Sequence, residues 1–424
     1  MNKIERIKLC NISKVLEIAS IIVLLYACYF NAIKTISLSY IITIVIALAF
    51  MIMAFIIKKK YKIMIYLPSI SIFIAIAISR IYSINSQNTN RFMIMYLIYM
   101  IISFFILKLD NWKNILVKGV IFFSFITVIV TIISWISPSW YLQNILPNVY
   151  SGSQETIYDL VVYANSYPGI FASTGLNAFF ISAGLAVLFS NMLFNNKKRK
   201  LKIGVIIFYV VALILTLKRA TLVLNIIAII FILFLNKSNL RKKIKIITIL
   251  CLAIAVLYFM FPDTFNNVLS RFQADSTEDL LNGRDYLYKF AWNSIEENPF
   301  IGFGFGCFSY AYSITNNYSG VSLDTHNEIL QIWSETGFFG LLLVFIPMIY
   351  VYIISIKKFR KEKDNKNLHA MSLYIQTYFL FYCLVGNPFH DTSIYLIYLL
   401  FTLISVKGER KKNEQESVYN NSGI

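Results

Sequence analysis

Asp324-Thr325-His326-Asn327-Glu328-Ile329-Leu330-Gln331-Ile332-Trp333-Ser334-Glu335-Thr336-Gly337-Phe338-Phe339-Gly340 is the stretch on which the reading of this chain turns. It opens on polar residues that include His326, one of only three histidines in 424 residues. Apolar Ile329, Ile332 and Trp333 follow at helical spacing, and past Gly337 the chain enters an apolar run that lasts to about residue 356. The spacing predicts a helix with His326 in its first turn, Asp324 or Thr325 as its cap, and Glu335 between two and three turns further on. A titratable base then stands where a polar segment meets a membrane-length apolar one.

The rest of the chain has the same character. Hydrophobic residues make up 58%, charged residues 14%, and the mean hydropathy is +0.66. The apolar residues come in blocks of spanning length rather than in alternation, which predicts an all-α polytopic membrane protein with about twelve transmembrane helices in a single domain, 1–424. The spans are expected near 15–33, 38–57, 63–79, 92–107, 115–137, 169–194, 203–217, 220–235, 246–262, 337–356, 368–386 and 394–406. On this parsing 31 of the 39 Lys and Arg fall on one side, so the positive-inside rule puts both termini in the cytoplasm, including a basic tail over 407–424. The net charge of +18 is accounted for in this way, and nucleic acid is not implied. Five cysteines without CxxC spacing support neither a disulfide framework nor a zinc site. Leu25-Tyr26-Ala27-Cys28 imitates a lipoprotein cleavage site, but Tyr26 stands where a small residue is required, so the first span is read as a retained anchor.

Two outer loops are long. The first, 138–168, is rich in Trp, Tyr and Pro; the second, 263–336, is the largest extracytoplasmic piece and carries amphipathic helices. Within the second, Arg284-Asp285 leads into an aromatic helix over Tyr286–Ile295 suited to the headgroup plane, followed by Asn298-Pro299-Phe300-Ile301-Gly302-Phe303-Gly304-Phe305-Gly306-Cys307-Phe308. A phosphate cradle needs a strand before such glycines and a helix after them within a βαβ unit, so the run is read as a flexible re-entrant turn.

Lys218 and Arg219 lie at the tip of a hairpin between two short spans, where a charge costs on the order of 2.5–3.5 kcal/mol on insertion scales. A snorkelling anchor accounts for Lys218 better than for Arg219. Arg284 has the alternative of a surface ion pair with Asp285 or Glu278, and His326 that of a polar helix start. The topology nevertheless puts Arg219, Arg284 and His326 on one outer face. Two bidentate guanidinium groups and one base that titrates near neutrality suit a lipid-linked phosphate substrate. No Asp-x-Asp pair marks a metal site.

His326-Asn327-x-x-Leu330, Glu335-x-Gly337-x-x-Gly340-Leu341, the Arg284-to-Trp292 helix, the Asn298-to-Phe308 run and the hairpin arginine together resemble the O-antigen ligase and O-antigen polymerase superfamily of bacterial envelope enzymes. The resemblance covers roughly 210–345 in motifs and the whole chain in topology. It departs at the hairpin, where members often show Ser-Arg-Gly and this chain has Lys218-Arg219-Ala220. The resemblance implies a metal-independent, inverting glycosyltransferase without cofactor that moves a glycan from polyprenyl (undecaprenyl) pyrophosphate to an acceptor hydroxyl. Arg219 and Arg284 would hold the pyrophosphate and His326 would take the acceptor proton, with Glu335, Asn327 and Trp292 in support.

The expected function is a polymerase of capsule or exopolysaccharide repeat units at the outer face of the cytoplasmic membrane. The alternatives are ligase-type transfer to a lipid or protein acceptor and, from another class, a flippase. A flippase should show mid-span charges and repeat symmetry, whereas the spans here are nearly free of charge and the two halves do not resemble each other. Membrane lipid, a flippase and a chain-length regulator are the expected partners.

Overall fold

The computed structural model describes residues 3–30, 32–33, 40–58, 66–149, 151–195, 197–236, 244, 248, 284–317, 323–362 and 364–406. The expected span 246–262 apart from residue 248, the parts of the expected second outer loop over 263–283, which holds Glu278, and 318–322, and the tail 407–424 lie outside the described residues.

Among the described residues the chain is helical and forms no strand. The helices are α1 (Lys3–Tyr29), α2 (Tyr40–Lys58), α3 (Leu67–Ser79), α4 (Ser86–Ile106), α5 (Trp112–Ile136), α6 (Pro138–Asn144), α7 (Ser151–Val162) and α8 (Thr174–Phe194). They continue as α9 (Arg199–Leu215), α10 (Arg219–Leu235), α11 (Asp285–Glu297), α12 (Phe308–Thr315), α13 (Glu328–Lys361), α14 (Lys366–Tyr382) and α15 (Thr392–Val406). Six of them (α1, α2, α4, α5, α8 and α13) contain stretches long and apolar enough to cross a membrane, and α3, α10 and α15 are shorter apolar helices. The stretch 138–168, expected as the first outer loop, contains α6 and α7. Their buried Tyr141, Ile157 and Val161 join Tyr167 in a small core of their own.

α8 is enclosed nearly all round and forms the axis of the bundle. Gly184 lets α8, α5 and α9 approach closely, because a Cβ there would run into Ser124 and Tyr209. Polar side chains join the helices where apolar contact is not selective. Asn225 of α10 donates to Ser182 Oγ of α8 (2.8 Å), Tyr374 of α14 donates to Asn225 Oδ1 (2.7 Å), and Gln376 of α14 donates to Ser355 Oγ of α13 (2.8 Å). Such bonds contribute on average about 0.6 kcal/mol each in membrane helices.

The feature that shapes the site is a break in α13. Gly337 has φ 70° and ψ 177°, a conformation open in practice only to glycine, so the helix stops and restarts there. Residues 299–308 run across the gap and use the backbone groups it frees. Phe303 N donates to Ser334 O (3.2 Å), Gly304 N to Glu335 O (2.8 Å), and Phe338 N to Pro299 O (2.9 Å). A Cβ on Gly302 would strike the backbone of Glu335, and one on Gly337 the carbonyl of Phe300. The glycine run is therefore a fitted splice against a helix. Its backbone is bonded to α13, so the turn expected to be flexible is a fitted one.

Candidate functional site

The chain reaches α13 through Asp324–Asn327. His326 has φ 54° and precedes the helix instead of lying in its first turn, and the cap is Asn327, whose side chain accepts from Ile329 N (3.1 Å) and Leu330 N (3.2 Å). Gln331, one turn into α13, holds the approach from below. Its Oε1 accepts from Thr325 N (3.0 Å) and its Nε2 donates to Asp324 Oδ1 (2.9 Å). Thr325 Oγ1 accepts from Asn327 N (3.0 Å), closing a turn around the histidine.

His326 keeps an exposed face. Crowding by surrounding protein is nonetheless the largest influence on its imidazole, followed by the charge of Arg284; Lys218 acts in the same direction, Asp324 opposes, and the pKa is pushed down to about 4. The ring is therefore neutral near pH 7 and able to accept a proton. Arg284 stands at the start of α11, which packs on α12 and α13 through Leu287, Ala291, Phe308 and Leu330. Asp285, its expected ion-pair partner, turns instead to Lys289 at 3.8 Å. Arg219 is the first residue of α10 and is half-buried. The hairpin cation whose charge is seen to act on His326 is its neighbour Lys218, which the sequence had marked as an anchor. The hairpin tip is fixed from the side, since Tyr167 N donates to Leu215 O (3.1 Å) and Ser166 Oγ to Thr216 O (2.8 Å). Trp292 packs edge-on against Trp333, with ring centres 6.3 Å apart, and donates to Glu296.

The hydrogen bonds of Glu335 go to other partners than the His326 ring. Its carboxylate accepts from Gly306 N (2.8 Å) and Phe308 N (2.9 Å) and meets the second histidine of the region, His390 (Nε2 to Oε2, 2.7 Å). The other ring nitrogen of His390, Nδ1, meets Glu328 Oε1 at 2.7 Å. Both carboxylates are fully buried and the imidazole is 7% exposed. Burial works against a charged ring here, but the two carboxylates outweigh it and hold the His390 pKa well above the ordinary histidine range. Each ring nitrogen faces a different carboxylate, so the imidazole bridges the two. Sequence reasoning passed over His390. Asn387-Pro388-Phe389-His390-Asp391, a polar stretch between the last two apolar runs, was the available signal.

Residues 204–345 match the family described as O-antigen ligase, which bears out the resemblance read in the motifs. A protein of Rickettsia conorii (strain ATCC VR-613 / Malish 7) named "Putative polysaccharide ligase RC0486" is 33% identical over 97 residues, 21% of this chain and 22% of that protein. The chain thus matches about a fifth of the length of that relative. Lys218, Arg219, Arg284, Trp292, His326, Asn327 and Glu335 lie inside the family match, whereas His390 lies beyond it.

Proposed function

We propose that the chain carries out glycan transfer of the O-antigen ligase type, from a polyprenyl-pyrophosphate-linked donor to an acceptor hydroxyl at the outer face of the cytoplasmic membrane. One observation carries this reading: His326 stands exposed just before the broken helix α13, where the charges of Arg284 and Lys218 act on its ring. Arg284, with Arg219 and Lys218 at the hairpin tip, binds the pyrophosphate. The acceptor oxygen attacks the anomeric carbon as its bond to pyrophosphate breaks. Pyrophosphate leaves with the bonding electrons, its growing charge met by the cations, and the acceptor proton passes to His326. Attack opposite the leaving group inverts the centre. Fixed cations supply the charge neutralisation, so activity should survive chelators. In this reading twelve spans, the ninth among them, place the loops 138–168 and 263–336 outside and both termini inside, and a flippase delivers the donor.

The finer reading is a repeat-unit polymerase, with a chain-length regulator as partner. It is supported by the aromatic, hydroxyl-rich surface of α12 and of the loop bearing α6 and α7, as repeated sugar binding would use. Purified protein given lipid-linked glycan that accumulates in cells deleted for the chain should make a ladder of products, each one repeat longer. A single transfer that waits for a separate lipid or protein acceptor would replace polymerase by ligase. His326→Ala should lower either product about 10²–10⁴-fold with insertion intact. Wild-type yield from that variant would overturn the assignment of the base.

A further inference from the structure

The transfer just described makes no use of His390, although three parts of the chain meet on it. Glu328 and Glu335 belong to the first turns of α13, and Glu335 also takes the amides of Gly306 and Phe308. Glu328 Oε2 accepts from Phe389 N (2.8 Å), and the imidazole lies flat on Phe305, centres 4.6 Å apart and planes 10° apart. Two bridges between three groups require two hydrogens. The trio therefore carries one net negative charge, whether the ring holds both hydrogens or one carboxyl keeps its own.

From this knot a chain of bonds leads to the loop of His326. Gln331 Nε2 reaches Glu335 Oε1 (3.4 Å) and Asp324 Oδ1 (2.9 Å). Asn387 Nδ2, from the His390 segment, donates to Gln331 Oε1 (2.7 Å), which also accepts from Thr325 N (3.0 Å). Glu328 N donates to Cys383 O (2.8 Å). The residues on both sides of His326 are tied to partners that His390 holds in register, and His326 itself is kept in a left-handed conformation.

We propose that His390, gripped by Glu328 and Glu335, is a positioning residue for the transfer: it locks the glycine run and the 387–391 segment onto α13 and so fixes where His326 stands. The inference rests on the reading of His326 as the base.

The bond pattern makes the two carboxylates unequal. In Glu328→Gln, the amide oxygen can accept from Phe389 N and the amide NH₂ can donate to a neutral ring at Nδ1, while Nε2–H still donates to Glu335. Every bond and the net charge survive. In Glu335→Gln, the NH₂ must face either Gly306 N–H or Phe308 N–H, donor against donor. Glu328→Gln is therefore expected to keep transfer within about twofold of wild type, whereas Glu335→Gln and His390→Gln lose about a hundredfold in kcat with KM little changed, as a base displaced by about 1 Å would. The assay uses full-length purified protein and lipid-linked glycan from deletion cells, with His326→Ala in parallel and thermal unfolding of each variant.

If Glu335→Gln and His390→Gln fold and turn over like wild type while His326→Ala is dead, the positioning role is overturned and the base stands. If His326→Ala is also active, the functional reading falls with it. A hundredfold loss in Glu328→Gln would likewise overturn the inference, because it would make the carboxylate charge rather than the held geometry the requirement. Should the His390 and Glu335 variants not fold, Asn387→Ala cuts the same chain of bonds nearer His326 without stranding a buried charge. It is expected to fold and to lose most of its kcat, and full activity there would overturn the proposal.

Discussion

Crowding and two cations all act against the protonated form of His326, so its ring should stay neutral as pH falls from 8 until it titrates near 4. A bound anion reverses one of these influences. Inorganic pyrophosphate, by offsetting Arg284 and Lys218, should raise the His326 pKa toward the ordinary 6.5, and Arg284→Gln should move it in the same direction without ligand. Histidine NMR, assigned with His326→Gln, reads both shifts; an unliganded ring that titrates near 6.5 and ignores Arg284→Gln would contradict this. His326 was legible in the sequence because it stands at the seam between a polar segment and an apolar one. His390 was not, because its carboxylate partners lie 62 and 55 positions away and only the folded chain brings them together.

Among the elements, the helix starts and the apolar runs were largely readable. The run expected over 115–137 is α5, that over 220–235 is α10, and the aromatic stretch after Arg284 is α11. What escaped was the splice at Gly337, where a gap in one helix is filled by backbone from another segment, because an isolated glycine in an apolar run has the same appearance whether or not a second chain segment crosses there. Two glycines offer a controlled comparison. At Gly337, a side chain would meet the Phe300 carbonyl and φ is positive, whereas nothing lies within 4 Å of a Cβ at Gly204 in α9. Gly337→Ala should therefore lower the melting temperature by many degrees through strain of about 1–3 kcal/mol plus the displaced splice, while Gly204→Ala should be neutral or slightly stabilising. Thermal unfolding in detergent, followed by size-exclusion fluorescence, distinguishes them, and equal melting temperatures would mean that the break tolerates a side chain.

For the whole molecule, the sequence established a helical membrane protein through the length of its apolar blocks and suggested its orientation through the distribution of Lys and Arg. In a cysteine-free background, Asn316→Cys should react with an impermeant maleimide on intact cells, and Lys197→Cys only after permeabilisation; labelling in the opposite sense would place the site in the cytoplasm. The buried clasp on His390 also has a consequence in time. Synthesis delivers the 299–308 segment before α13, so the filler for the helix gap precedes the gap itself, and unmet backbone groups need not wait in hydrocarbon, where each costs several kcal/mol. Glu328 and Glu335, however, emerge well before the histidine that pairs them. Until α14 and α15 dock, both carboxylates lack the imidazole that bridges them, so on the proposed role of His390 the site is complete only once this hairpin is in place. On that proposal, a chain cut before residue 387 should be inactive even where His326, Arg284 and Arg219 are all present.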